Sequence, residues 1–150
     1  MDAIRLLTDD HKRGKALFRE YEELSDSAHK RRQQVVERAF RELEIHTKIQ
    51  VELFYPAFRA KADDEGQDMV RESCEEHHVV DVLMGEMTHL EPDSPQYAAK
   101  FTVLMENIEH HADEEEKEMF PKAKELLKDD PQTLGAEMEQ RKEQLMAALR

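Results

Sequence analysis

A chain of 150 residues with a formal net charge of −13 is one domain's worth, long enough to bury around two thirds of its unfolded surface in a single core. That acidity argues against a nucleic-acid partner, which needs clustered Lys and Arg, and against an anionic membrane surface. No apolar run approaches the roughly 20 residues that span a bilayer, the start MDAIRLLTDD lacks the basic-then-apolar order of a secretory signal, and the lone Cys74 has no internal disulfide partner, so a cytoplasmic location is expected.

Four Gly and five Pro leave few breaks in a chain rich in Glu, Lys, Arg, Leu, Met and Ala, so the expected class is all-α. Ile4, Leu7, His11, Gly14, Phe18 and Tyr21 recur at steps of three and four, placing His11 on the apolar stripe of a first helix. Ser25 to Ser27 is the expected turn. Val36, Ala39, Leu43, His46, Gln50 and Leu53 form the second stripe, with Pro56 breaking or kinking the ladder near its end. Asp63-Asp64-Glu65-Gly66 ends this hairpin. A third helix carries Val70, Cys74, His77, Asp81, Met84 and Met87, which puts Asp81 in register with His77 and makes Cys74 a small core residue. Glu91-Pro92-Asp93-Ser94-Pro95 is a strong turn signal. A fourth stripe of Phe101, Leu104, Ile108, His111, Glu115 and Met119 follows, with Pro121 repeating the kink and Asp129-Asp130-Pro131 closing the helix. Leu134, Met138, Leu145 and Leu149 predict a short amphipathic fifth helix, which either caps the bundle or pairs with another subunit. The expected division is a four-helix unit over 1–130 and a C-terminal helix over 131–150.

One block occurs twice, as EIHTKIQVELFYP at 44–56 and EHHADEEEKEMFP at 109–121. Each has Glu two residues before His (Glu44 and His46, Glu109 and His111) and an aromatic-Pro pair ending ten residues after that His. Upstream of each lies another His on a helical stripe, His11 in TDDHKR and His77 in EEHHVV. The chain therefore reads as two helical hairpins, each offering a pair of imidazoles to a common interior.

Residues i and i+4 of a helix have β-carbons roughly 5–6 Å apart, so His111 and Glu115 can reach one metal or two adjacent metals. Imidazoles from the other helices complete a mixed nitrogen and oxygen set that suits iron, manganese or zinc better than calcium or magnesium. A metal-free apolar core would instead have to satisfy several buried polar groups at once, at about 1–3 kcal/mol for each failure. His29, His78, His89 and His110 fall off their stripes and read as ordinary surface residues. Glu44 and Glu109 point away from the core, the Asp113 to Glu116 run is a solvated face apart from Glu115, and Met84, Met87, Met105 and Met119 read as core filling.

The order TDDHKR, HTKIQVELFYP, EEHHVVDVLMGEM and HHADEEEKEMFP resembles the hemerythrin-like proteins, also called HHE cation-binding domains, to about Lys128. The resemblance implies an up-down four-helix bundle, with the fifth helix appended, that holds two non-haem irons bridged by carboxylates and an oxo or hydroxo group. It also assigns His11, His46, His77, His111 and Glu115 to the ligand positions. The sequence departs from the family at two places. Gln50 stands where a carboxylate is usual four residues after the second-helix His, and Asp81 stands where the invertebrate oxygen carriers have a second His. A Gln offers one neutral carbonyl oxygen and no charge, so the centre is expected to be asymmetric, to hold a single metal, or to recruit Asp81 or another carboxylate.

Three functions follow as expectations. The first is a di-iron protein that takes up dioxygen, nitric oxide or peroxide at an open coordination position, as carrier, store or sensor. The second is a peroxide- or NO-consuming oxidoreductase, with weak peroxidase or catalase-like activity, and the third is a metal-free helical interaction module. An enzyme needs a proton donor, for which Tyr21, Tyr55 and Tyr97 are the hydroxyaromatic candidates. The stripes aim no Ser, Lys or spare carboxylate inward except Asp81, so proton delivery is expected to be poor.

Overall fold

The computed structural model describes residues 1–129 and 131–149. Asp130, the middle of the expected closing turn, lies outside the described residues. The fold is all-helical: α1 (Ala3–Glu23), α2 (His29–Ile49), a π-helical turn π1 (Gln50–Phe54), α3 (Tyr55–Arg59), α4 (Asp64–Met87), α5 (Pro95–Glu114), a second π-helical turn π2 (Glu115–Met119), α6 (Phe120–Leu126) and α7 (Pro131–Ala148). Because α2, π1 and α3 run on as one rod, and α5, π2 and α6 as another, four rods make an up-down bundle and α7 is the fifth helix. No described helix is long and apolar enough to cross a membrane.

The helix starts follow from capping chemistry. Asp2 accepts from the Arg5 amide (2.8 Å), Asp63 from the Gly66 amide (2.9 Å) and Ser94 from the Tyr97 amide (3.2 Å), so each satisfies an amide that has no partner within its helix. The acidic stretch at 63–66, expected to close a hairpin, instead opens α4: Asp63 caps it, and Asp64 and Glu65 sit in its first turn, where the helix dipole favours negative charge.

Ahead of each proline the helical ladder widens into a π turn. The Tyr55 amide bonds the Gln50 carbonyl and the Phe120 amide bonds the Glu115 carbonyl, each five residues back. The next residue, Pro56 or Pro121, has no N–H to continue the ladder. Each widened turn therefore begins at the fourth residue after a stripe histidine, a location typical of functional sites.

The apolar core falls into two clusters. Near the chain termini Leu6, Leu7, Ile49, Phe54, Phe58, Phe120 and Met138 pack together. At the other end of the bundle Leu17, Phe18, Val36, Met87, Phe101, Leu104 and Met105 form the second cluster. Along each rod the stripe histidine falls between residues of the two, so a polar layer divides a core that is usually continuous.

In α4 the inward face runs Gly66, Val70, Ser73, His77, Val80, Met84 and Met87, while Cys74 and Asp81 are exposed. The expected core role for Cys74 and the inward register for Asp81 are corrected accordingly. At 3.6 residues per turn the step inward from His77 is three residues, to Val80, and the following residue has already rotated toward solvent.

The fifth helix folds back on its own bundle. Met138 and Leu145 are buried, Arg141 forks onto Glu52 through two bonds (2.7 and 3.1 Å), and the N-terminal amine meets Glu139 (3.1 Å). A β-carbon on Gly135 would sit 2.0 Å from the Met1 carbonyl oxygen, so only glycine permits this approach.

Candidate metal centre

The interior layer holds two imidazole pairs, His11 with His46 (ring centroids 5.2 Å apart) and His77 with His111 (5.1 Å). Between the pairs stands Glu115, 2 % exposed. Its Oε1 lies 3.2 Å from His11 Nε2 and 3.4 Å from His111 Nε2, so one oxygen touches one imidazole of each pair. His11, His46 and Glu115 each present a ligand atom with all three within 4.8 Å of one another. The tightest group thus comes from three rods, and His77 and His111 face it from the second hairpin.

These close approaches lack hydrogen-bond geometry. Among the described residues, both ring nitrogens of His11, Nδ1 of His77, Nε2 of His111 and Oε1 of Glu115 are buried with no hydrogen-bond partner. Leaving even one such group unsatisfied costs about 1–3 kcal/mol. Orphaned imidazole nitrogens converging on an orphaned carboxylate oxygen are what a cation site requires, so the donor set fits a metal bound by nitrogen and oxygen.

The outer nitrogens are held in place by carboxylates. His46 Nδ1 donates to Asp10 Oδ2 (2.8 Å), and His111 Nδ1 donates to Glu76. Each bond keeps the proton on Nδ1 and leaves Nε2 as the free lone pair, the arrangement by which carboxylates orient metal-binding histidines. Asp10 immediately precedes His11 and Glu76 immediately precedes His77, so each short helix motif supplies one imidazole and the carboxylate that orients the imidazole of the adjacent rod.

Electrostatics sets the protonation states. Burial raises the Glu115 carboxyl, but His11, His111 and His46 outweigh it and bring the pKa down to about 2. Burial and the neighbouring His111 lower His77 to about 4. At neutral pH Glu115 is therefore ionised and His77 neutral, the states in which both groups ligate metals. Burial also raises Asp10, but His46 and Lys142 overcome it and hold this carboxyl at about 2.

Gln50, fully buried, donates from Nε2 to Glu115 Oε2 (2.7 Å) and accepts from the Tyr55 hydroxyl at Oε1 (3.2 Å). It belongs to the cluster as a partner of Glu115. The Tyr55 hydroxyl is also 3.2 Å from Glu115 Oε2 and 3.4 Å from His77 Nε2. Burial and the Glu115 charge push its pKa well above the usual phenol value, so it keeps its proton. The expectation that the interior lacks a positioned donor is corrected by this residue. Tyr21 sits in the far core cluster, under the Arg32 guanidinium (4.3 Å). Phe120 is the counterpart of Tyr55 in the repeated block and stacks on His11 (5.6 Å), so at this position the two halves differ by one hydroxyl.

Asp81 is exposed and stands outside this cluster, whereas His29, His78, His89 and His110 point to solvent, as their register predicts. Sequence reading overlooked Asp10 and Glu76 as orienting groups. The carboxylate-His pair repeated at 10–11 and 76–77 was the available signal.

A family model described as the hemerythrin HHE cation-binding domain matches residues 2–123. No curated protein matches the chain. Among solved structures, the chain is similar to a hemerythrin HHE cation-binding domain-containing protein from Mycobacterium kansasii, described as an Rv2633c homologue. The two share 26 % identity at a TM-score of 0.85, over 99 % of this chain and 89 % of the other.

Proposed function

The chain belongs to the hemerythrin HHE cation-binding family, and on that premise we propose that it is a non-haem di-iron protein binding dioxygen, nitric oxide or peroxide at an open coordination position, as sensor, carrier or store. His11 and His46 would hold one iron, His77 and His111 the other, and Glu115 would bridge them. When bound, iron in such a nitrogen and oxygen set supplies a redox-active Lewis acid with room for a small ligand. The observation that carries the proposal is Glu115 Oε1, orphaned and buried within 3.4 Å of an imidazole from each pair.

The chain's own residues prepare that chemistry. Asp10 and Glu76 keep protons on the outer nitrogens of His46 and His111. Gln50 fixes Glu115 through Oε2 and leaves Oε1 inward, and the side chain gives the bridging region no second negative charge. Gln50 and Asp81 are accordingly left out of the proposed ligand set.

A second reading, a peroxide-consuming oxidoreductase, is favoured by the protonated Tyr55 hydroxyl beside Glu115 Oε2. A positioned donor of this kind is worth about 10²–10⁴-fold in rate. Elemental analysis and near-ultraviolet absorption of protein purified aerobically from iron-supplied cells test the proposal. About two irons per chain with an oxo-bridge band support it. One metal or none, with no band, overturns it.

A further inference from the structure

The interior contains more space than a diatomic ligand requires. Beside the imidazole layer lies a cavity of about 270 Å³. A water molecule's share of its liquid is only about 30 Å³, and an apolar cavity of about 150 Å³ holds benzene. Three rods give it a hydrocarbon wall, with Ala39 and Leu43 from α2, Val80 from α4, and Met105 and Ile108 from α5. From α1 comes Gly14, whose φ is not positive and at which an added β-carbon would meet nothing within 4 Å. Neither backbone conformation nor close packing requires glycine there, and a glycine inside a helix is less favourable than alanine by about 1 kcal/mol. Its physical effect is to leave the space empty. The packing of the rods keeps the space wide, because α1 pairs closely with α2 and α4 with α5 while α2 and α4 stand apart. Most of the cavity wall is thus hydrocarbon, with polar groups added by the four imidazoles and, around them, by Asp10, Lys15, Glu42, Thr47, Glu76 and Asn107.

We propose that this cavity binds a small organic molecule with a hydrocarbon body of roughly benzene size and a single hydroxyl or hydroperoxyl head, the body against the Ala39, Leu43 and Met105 wall and the head toward the imidazoles. The direction of the head rests on the metal-centre reading above, whereas the hydrocarbon site does not. Among peroxides, the ligand class selected is then an organic hydroperoxide, since hydrogen peroxide leaves most of the cavity unfilled.

Benzyl alcohol, a non-reacting probe, tests the site by calorimetric titration and Tm of the full chain, metal-free and iron-loaded. Saturable binding at one molecule per chain is expected, weakened roughly tenfold or more by Gly14→Leu and by Ala39→Leu, which fill the cavity. Gly14→Ala, adding one methyl to open space, should retain binding and raise Tm. Absence of saturable binding to the unaltered chain overturns the inference, as does unchanged affinity in both leucine variants. Protein that binds benzyl alcohol but takes up no iron keeps this inference and overturns the proposed function. Iron-loaded protein blind to benzyl alcohol does the reverse.

Discussion

Lys142 of the C-terminal helix donates a 2.6 Å hydrogen bond to Asp10 Oδ1, while the other oxygen of that carboxylate holds His46 at 2.8 Å. A helix appended to the bundle is therefore connected to one imidazole pair through two polar contacts. Among the described residues the second hairpin has no such link: Glu76, the counterpart of Asp10, is paired there with His111 alone and is partly exposed. Asp10→Asn should weaken metal binding at the His11 and His46 half by about 10–100-fold, and Lys142→Met should weaken the same half by a smaller factor. Stepwise iron titration followed by absorption checks this. Equal weakening of both equivalents by Lys142→Met would remove the proposed link.

The stripe histidines are separated from their sequence neighbours by a simple series. His77→Ala and His111→Ala should each strip metal and lower the Tm of iron-loaded protein, because ligands that bind only the folded state stabilise it. His78→Ala and His110→Ala, at exposed positions, should leave both unchanged. Metal loss from His78→Ala comparable to that from His77→Ala would contradict the register.

Gln50→Glu should act with opposite sign in the two metal states. Without metal it replaces a donor 2.7 Å from Glu115 with a second carboxylate, losing a charge-assisted bond worth about 1.5–3 kcal/mol and setting like charges together. With iron, the added carboxylate offsets cationic charge in a low-dielectric interior and should tighten binding. Denaturant melts of the metal-free and iron-loaded variant read both effects, and the same sign in both states would contradict the prediction.

Metal-free protein should lose stability in two steps on acidification. His77 has a folded pKa of about 4 against an ordinary value of 6.5, so its contribution, about 3 kcal/mol, is present above pH 6.5 and lost as pH falls toward 4. Glu115 and Asp10, both held near 2, add a loss that begins below about pH 4.5 and continues toward 2. Urea midpoints of chelator-treated protein from pH 7 to 3 follow both limbs. His77→Gln should abolish the upper limb and leave the lower one.

Tyr55→Phe removes one hydroxyl while keeping the ring beside His77. The variant should retain its metal content, and any peroxide consumption should slow by about 10²-fold or more, since the donor and not the packing is lost. Stopped-flow mixing with peroxide provides the rate, and an unchanged rate would take Tyr55 out of the reaction.

How far the site was legible depends on where each residue's neighbours lie along the chain. His11, His46, His77, His111 and Glu115 declared themselves because helical periodicity is local: residues three and four apart share a face whatever the rest of the chain does. The repeated aromatic-Pro pairs likewise marked the two turns that prove π-helical. Asp81 and Cys74 were misplaced for the complementary reason, since over several turns a stripe can step by three or by four, and only packing against α5 selects Val80 rather than its neighbour.

By itself the sequence determined the all-helical class, the turn at 91–95 and the spacing that sets histidines on four rods, all consequences of interactions within a few residues. Only the tertiary structure decided which carboxylate orients which imidazole, that Gln50 and Tyr55 converge on Glu115, and that Lys142 reaches Asp10 from 132 residues away. Those contacts join different rods, and their geometry depends on crossing, rotation and the π turns, which no local period encodes. The cavity follows from the same cause, because the space beside Gly14 exists only where α2 and α4 stand apart.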